Sequence, residues 1–332
     1  MREIETLDRD LFRREIVPAY QPVVLRGFVR DWPAVEAARS GAGEVAAYLS
    51  RFDHGAAVEA FIGAPEIGGR FFYRDDMRGF NFDRRTGAFG EVLRYIFDVA
   101  GLPGSPSVYI GAAPTPEVLP GFDSANPMGL VDDPHLVPRI WIGTKTIVSA
   151  HFDESDNIAC VVAGRRRFTL FPPDQVANLY IGPLDFTMAG QPASMVDLAD
   201  PDFERYPRFR EALAQAQSAE LEPGDAIYIP TLWWHHVEAL DPFNVLLNYW
   251  WRAAPPDAGS AFEALAHGIW SIGELSEGQR EAWREMFDLY VFRRHGNPAA
   301  HLAPEHRGIL ADANPKLRDR IKQFLLQGLS RR

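Results

Sequence analysis

The stretch Ile140-Trp-Ile-Gly-Thr-Lys-Thr-Ile-Val-Ser-Ala-His-Phe-Asp153 carries an apolar segment into a His-x-Asp triplet. Further along the chain, Trp233-Trp-His-His236 closes a second apolar segment. Residues i and i+2 of a β-strand point to the same side, so His151 and Asp153 share one face of the predicted strand. We expect a distant strand to bring His235 to that face.

Two imidazoles and one carboxylate on one side of an ion are typical of non-heme Fe(II) oxygenases. Three protein ligands leave octahedral positions for a bidentate 2-oxo acid and for dioxygen, whereas a structural zinc site would close with a fourth Cys or His. The residues therefore predict an Fe(II) site made of His151, Asp153 and His235. A plain hydrogen-bonded His–Asp pair is the alternative, and His236 is a rival ligand that we expect on the opposite face.

The net charge and the cysteine content indicate which partners and which cellular compartment to expect. The 332 residues carry a formal net charge of -11 and no Lys- or Arg-rich tract, which argues against binding nucleic acid or an anionic membrane. Cys160 is the single cysteine, so no intramolecular disulfide can form, and we interpret it as a small buried apolar residue. The first residues lack the apolar core of a signal peptide. We therefore predict a cytoplasmic protein without nucleic-acid or membrane partners.

Three regions are predicted along the chain. Residues 1–104 mix strand and helix signals, with a helix over 89–99, and form a flank that packs on the next region. Residues 105–255 contain short Val-, Ile-, Tyr- and Trp-rich runs, which predict a β-barrel or sandwich, with a polar insertion at 172–222 placed outside it. Residues 256–332 are predicted to be helical, with a capping box at Ser276-Glu-Gly-Gln279. The predicted strand runs are 22–27, 108–112, 139–150, 158–162, 167–171, 226–229 and 245–251.

A 2-oxo acid such as 2-oxoglutarate has a distal carboxylate, so the β-region should turn one cation inward. In Gly164-Arg-Arg-Arg-Phe168, alternation places Arg166 on the face of Phe168 and leaves its two neighbouring arginines on the other. Arg166 is thus the candidate for bidentate pairing with that carboxylate. Asn248 and Trp250 share a face of the last strand, where a buried Asn either orients the cosubstrate or makes a structural hydrogen bond.

Several ordered blocks over roughly residues 105 to 255 resemble the Jumonji/cupin-like 2-oxoglutarate oxygenases, and within them most of all the asparaginyl hydroxylase that inhibits hypoxia-inducible factor. The resembling blocks are His151-Phe-Asp-Glu154 with Asn157, Gly164-x-Arg166-Arg167, Leu170-Phe-Pro-Pro-Asp-Gln175, Asp200-Pro-Asp-Phe-Glu-Arg-Tyr-Pro207, Pro223-Gly-Asp-x-x-Tyr-Ile-Pro230, Trp233-Trp-His-His-Val-Glu238 and Asn248-Tyr-Trp250.

The resemblance implies a mainly β fold with flanking helices, a double-stranded β-helix of jelly-roll or cupin type, followed by C-terminal helices that form a homodimer interface. It implies iron ligation by His151, Asp153 and His235. The cosubstrate residues that the resemblance implies are Tyr109, Asn157, Arg166 and Asn248. Trp250 is a further candidate, because it shares a strand face with Asn248. Two positions depart from the family, since Arg166 replaces a lysine and Val148 replaces a threonine.

The resulting hypothesis is an Fe(II)- and 2-oxoglutarate-dependent dioxygenase that hydroxylates a protein side chain or a small molecule and releases succinate and CO2. The alternative is a metal-binding scaffold of the same fold that no longer turns over, for which Val148 and Arg166 are the sequence support. A sugar-isomerase-like or storage cupin is disfavoured, because such proteins use a His-x-His and a Glu as ligands and this chain has no His-x-His.

Overall fold

The computed structural model describes residues 1–255 and 257–330. Its chain divides into two compact units, Met1–Ala253 and Ala254–Arg332, which are described separately. Among the described helices, none is both long and apolar enough to cross a lipid bilayer.

The first unit is built on β-strands. They are β1 (Arg2–Ile4), β2 (Val23–Leu25), β3 (Ala57–Gly63), β4 (Phe82–Ala88), β5 (Ser107–Pro114), β6 (Arg139–Gly143), β7 (Ile147–His151), β8 (Asp156–Ala163), β9 (Arg166–Phe171), β10 (Gln217–Leu221), β11 (Ala226–Ile229), β12 (Trp234–Ala239) and β13 (Asn244–Trp251). Its helices are α1 (Arg9–Leu11), α2 (Val17–Ala19), α3 (Pro33–Ser40), α4 (Ala42–Ser50), α5 (Phe89–Val99), α6 (Thr115–Val118), α7 (Phe122–Ala125) and α8 (Phe209–Gln215). A π-helical turn, Phe12–Ile16, joins α1 to α2, and 3-10 turns form at Pro65–Ile67 and Pro173–Asn178.

Two sheets make up this unit. A nine-stranded sheet has the order β1-β2-β11-β8-β13-β6-β5-β3-β4, and a four-stranded sheet has the order β10-β9-β12-β7. Within the described residues the sheets do not close into one continuous barrel, so the architecture is a two-sheet jelly roll flanked by helices. The predicted fold class is confirmed.

Alternation along the central strands separates a helix-covered face from a cavity face. On β13, Val245, Leu247 and Tyr249 are buried in the larger apolar core, which also takes in side chains of α3, α4 and α5. The intervening Leu246 packs in a second apolar cluster, and Asn248 faces the cavity described below. One face of the large sheet is thus buried in the apolar core, and the other face can carry polar side chains.

Some predicted element boundaries hold and others fail. The helix over 89–99 is confirmed as α5. The single run predicted over 139–150 is wrong, because the chain turns between Gly143 and Ile147, leaving β6 in the large sheet and β7 in the small one. An apolar run alone does not reveal a turn that passes between sheets. The sequence also missed β3 and β4, by which the N-terminal hundred residues extend the large sheet.

The second unit contains three helices among its described residues, α9 (Ala261–Ile272), α10 (Glu277–Tyr290) and α11 (Pro315–Ser330), with short 3-10 turns at Pro304–His306 and Gly308–Leu310. The predicted capping box is confirmed, since Ser276 and Gln279 bond reciprocally at the start of α10. Large apolar side chains of α10 and α11 are exposed, among them Trp283, Phe324 and Leu325. The homodimer and the three-region division remain predictions.

Candidate active site

The pairing of β12 with β7 brings the distant histidines together. His235 lies opposite His151 in the antiparallel register, and the pairing shifts between His235 and Val237. Asp153 follows β7, and its backbone carbonyl accepts a 2.9 Å hydrogen bond from the Leu232 amide in the turn before β12. Two backbone connections therefore hold the His-x-Asp triplet against the segment that carries the third side chain.

The three predicted metal-binding side chains converge on one point. Their candidate ligand atoms all lie within 4.8 Å of one another. The Nε2 atom of His235 is 3.6 Å from Oδ2 of Asp153, and the two imidazole rings are 4.2 Å apart between centroids. Because two atoms that each lie about 2.1 Å from one ion are at most about 4.2 Å apart, the 3.6 Å separation of His235 and Asp153 suits a shared ion.

Backbone carbonyls fix the orientation of both imidazoles. The Nδ1 atom of His151 lies 3.0 Å from the Ser149 carbonyl, and Nδ1 of His235 lies 3.0 Å from the Trp233 carbonyl. A proton on Nδ1 satisfies each carbonyl and leaves the Nε2 lone pair for a metal. Burial, with the nearby His151 ring, lowers the pKa of His235 below its usual range, which favours the neutral imidazole that a metal requires.

Asp153 is oriented by an indole. The Nε1–H of Trp250 donates a 2.9 Å hydrogen bond to Oδ2 of Asp153. Such an outer contact restricts the carboxylate rotamer and leaves lone pairs on the carboxylate for a metal ion. Trp250, predicted as a cosubstrate residue, is thereby placed beside the candidate metal ligands.

His236 lies outside this cluster. Its Nε2 is 3.7 Å from the Glu238 carboxylate and has no hydrogen-bond partner among the described residues. The side chain is buried on the other side of β12 from His235. The structure therefore groups His235, and not His236, with His151 and Asp153.

The triad opens into a cavity of about 770 Å³, within the range of about 300–1,000 Å³ typical of ligand pockets. The cavity reaches every predicted cosubstrate residue, namely Tyr109, Asn157, Arg166, Asn248 and Trp250. Val148 also lines it, so the position where the family has a threonine hydroxyl is apolar here. Asn248 donates a 2.6 Å hydrogen bond from Nδ2 to Oδ1 of Asn157, which joins β13 to β8 beneath the cavity.

Arg166 is a buried cation without an ion-pair partner among the described residues. Its side chain is 2% exposed, and Nε and Nη2 have no hydrogen-bond acceptor within the described part of the chain. Burial lowers the pKa of Arg166 to about 10, and burial also raises the pKa of the nearby Tyr109 phenol. A charged guanidinium without a counterion is costly inside a protein. A carboxylate ligand would supply both the missing charge and the missing acceptors, so the residues present fit a dicarboxylate cosubstrate.

The sequence predicted that the insertion at 172–222 lies outside the β-region. This prediction is wrong in part, because some of the insertion contacts the β-region. Ser194 donates its amide to the Ala150 carbonyl at 2.7 Å, and Ala193 bridges His151 on the free edge of β7. Residues 187–191 consequently line the cavity. Contacts from the N-terminal region secure them, because Arg84 donates to the Met188 carbonyl and the Tyr73 hydroxyl to the Phe186 carbonyl.

Sequence reasoning also missed most of the aromatic wall. Phe61, Phe71, Phe82 and Trp141 line the cavity. Tyr109 stacks between two of them, 6.0 Å from Phe71 and 5.7 Å from Trp141 between ring centroids. The available signal was alternation on β3 and β4, two strands that the sequence analysis did not identify.

Comparison with known proteins supports the predicted family. The cupin-like domain family matches residues 9–257. Lysine-specific demethylase JMJ31 of Arabidopsis thaliana is 37% identical over 105 residues, covering 32% of this chain and 19% of the relative. The tRNA wybutosine-synthesizing protein 5 of Gallus gallus is 32% identical over 156 residues, covering 42% and 46%. HSPB1-associated protein 1 of Homo sapiens is 34% identical over 113 residues, covering 33% and 22%.

The chain thus spans less than half the length of these curated relatives. A solved structure of E. coli ycfD covers 98% of this chain and 69% of its own, with 18% identity and a TM-score of 0.44. The comparisons support the 2-oxoglutarate oxygenase family as a whole. They do not specifically support the asparaginyl hydroxylase.

The two adjacent histidines should respond differently to substitution. His235→Ala is expected to weaken Mn(II) binding at least about a hundredfold, because an inner ligand matters more than the outer contacts worth about 10–100-fold. His236→Ala, the matched control, should leave the affinity within about threefold. Isothermal titration calorimetry of both variants measures this, and equal losses would contradict the register of β12.

Arg166→Met should stabilise the ligand-free protein. Removing a buried, unpaired charge while keeping an apolar stem is expected to raise the free energy of unfolding by about 1 kcal/mol. Arg167→Met is the matched control, since its partly exposed ion pairs with Glu220 and Glu238 are worth less than about 1 kcal/mol each. Urea denaturation checks both values. A lower free energy of unfolding in Arg166→Met would contradict this prediction, because it would mean that the protein stabilises the guanidinium charge without a ligand.

Proposed function

The chain belongs to the cupin-like domain family, and from that premise we propose that it is an Fe(II)- and 2-oxoglutarate-dependent dioxygenase. It hydroxylates a protein side chain or a small molecule and releases succinate and CO2. The observation that carries this proposal is that a partly buried His–Asp–His cluster lines the same cavity as Arg166, a buried arginine whose Nε and Nη2 find no acceptor among the described residues.

The ligand set matches the metal and the reaction. Nε2 of His151, Nε2 of His235 and one carboxylate oxygen of Asp153 would hold Fe(II) from one side, the arrangement associated with oxygenases. When bound, the iron and 2-oxoglutarate supply the oxygen chemistry, in which decarboxylation of the oxo acid accompanies substrate hydroxylation. The backbone carbonyls at Ser149 and Trp233 keep both imidazoles in the ligating tautomer.

Arg166 would bind the distal carboxylate of 2-oxoglutarate. Its planar guanidinium can donate two parallel hydrogen bonds, which a lysine at this position could not. The buried Tyr109 hydroxyl can donate to the same carboxylate, because burial raises the pKa of that phenol and keeps it protonated. The second hydrogen bond from the guanidinium of Arg166 compensates for the threonine hydroxyl that the family has at the position of Val148.

Large apolar side chains pack next to the candidate metal-binding side chains. Trp233 and Trp234 are buried behind the metal-binding histidine, and Phe152 packs edge-on against Trp234 at 4.9 Å between centroids. Water exclusion strengthens the electrostatic contacts inside the site and protects reactive species from side reactions. The protein therefore positions the reacting groups and surrounds them with apolar side chains, which a metal-storage protein would not need.

A silent scaffold of the same fold is the competing function. Val148 favours it, because the apolar side chain removes one polar contact from the cavity. The unpartnered Arg166 favours the enzyme, because a scaffold without an anionic ligand gains nothing from a buried charge that lowers its stability.

The assay that separates these functions is release of succinate from 2-oxoglutarate. Wild-type protein is expected to release succinate slowly without a second substrate and only with Fe(II), and Asp153→Ala should lower that rate at least about a hundredfold, because it removes a metal ligand. Asp241→Ala is the matched control, since Asp241 pairs with Arg165 away from the cavity. Full turnover by Asp153→Ala would contradict the proposal. Wild-type protein that binds Mn(II) but, once loaded with the metal, does not bind 2-oxoglutarate would favour the scaffold.

A further inference from the structure

A second arginine faces the cavity from the opposite sheet. Arg139 is the first residue of β6 and pairs in register with Asn248 of β13, whereas Arg166 belongs to the four-stranded sheet. Asn248 is two residues from Trp250, whose indole bonds the candidate metal ligand Asp153. Arg139 thus lies on the strand next to Asn248 and Trp250, the two side chains of β13 that extend toward the candidate metal site. Arg139 also lines the cavity.

A strained bulge holds this arginine in place. The pairing of β5 with β6 shifts between Ile110 and Ala113, and within that bulge Ala112 has φ +49°, a left-handed conformation that non-glycine residues rarely adopt. The Ala112 carbonyl accepts a 3.0 Å hydrogen bond from Nη1 of Arg139. Bulges beside active sites often redirect a side chain, and strain of about 1–3 kcal/mol persists where the surroundings impose it.

The charge of Arg139 is not neutralised by a neighbour. Two of the other three arginines that line the cavity have acids close by, since Arg84 lies 3.5 Å from Glu59 and Arg252 lies 3.9 Å from Glu154. No carboxylate in the described part of the chain forms an ion pair with Arg139, whose one hydrogen bond there goes to the Ala112 carbonyl. The guanidinium has further N–H donors that remain for a ligand.

The flanking surface is apolar and aromatic. Trp141 follows Arg139 on the same face of β6 and meets Trp250 edge-on at 5.8 Å between centroids. Phe61 and Phe82 lie on the cavity wall beyond. A ligand that reaches Arg139 with a negative group would therefore rest its apolar part against these rings.

We propose that Arg139 is a specificity-determining residue that binds a carboxylate or phosphate group of the substrate, with an apolar or aromatic portion packed against Trp141 and Trp250. This inference rests on the proposed function, which makes the bound molecule the substrate. Arg166 already accounts for the distal carboxylate of 2-oxoglutarate, so the second cation, on the other sheet, serves a second anion. Substrates with a positively charged group at this point are disfavoured.

The test measures probe binding and not turnover. Protein loaded with Mn(II) and 2-oxoglutarate is titrated by calorimetry with 3-phenylpropionate, phenyl phosphate and the neutral 3-phenylpropanamide. Wild-type protein is expected to bind at least one of the two anions at least tenfold more tightly than the amide, and comparison of those anions identifies the preferred group. Arg139→Leu should weaken that anion at least tenfold, leave the amide unchanged, and be partly rescued in Arg139→Lys.

Controls separate this inference from the proposed function. Arg165→Leu removes the same charge at a position bonded to Asp241 outside the cavity and should change nothing. Binding of 2-oxoglutarate to the Mn(II)-loaded protein should be the same in Arg139→Leu as in wild type, which also shows that the variant folds. The inference is overturned if no anion outbinds the amide, if Arg139→Leu binds the anions normally, or if it loses 2-oxoglutarate. Failure of wild-type protein to bind 2-oxoglutarate would instead contradict the proposed function.

Discussion

The register between β7 and β12 is the constraint on which the site depends. It places His235 opposite His151, and after a register shift the pairing continues with Val237 opposite Val148 and Glu238 opposite Ile147. A slip of one residue would turn His235 to the other face and bring His236 toward the cavity. Pairing of β12 with β9 on its other side also places Trp234 against Phe171 and Ala239 against Arg166, so that register is supported along its length.

Two uncompensated cations on facing sheets give the cavity its chemical character. Arg166 is fully buried, which is costly to the ligand-free protein, whereas Arg139 is half-buried and donates a hydrogen bond to the Ala112 carbonyl. Each can be stabilised by an anion of its own. The cavity, whose wall combines phenylalanine and tryptophan with polar side chains, would then hold two acidic groups at separate positions.

The sequence predicted the parts of the site that obey local periodicity. Alternation alone placed Arg166 inward and its neighbours outward, and the i, i+2 rule placed His151 with Asp153. It could not predict that residues 187–191 return to the cavity, because the bridge between Ala193 and His151 is a long-range contact without a local pattern. Arg139 was missed for a related reason, since Ala112 is not a residue type that signals a left-handed bulge.

The most direct test of the shared metal site is anomalous diffraction from crystals of the protein soaked with Mn(II). One peak is expected at about 2.0–2.3 Å from Nε2 of both imidazoles and from one Asp153 oxygen, with Arg166 next to the far end of an added oxo acid. A peak bound to His236, or no peak between the three side chains, would contradict the account.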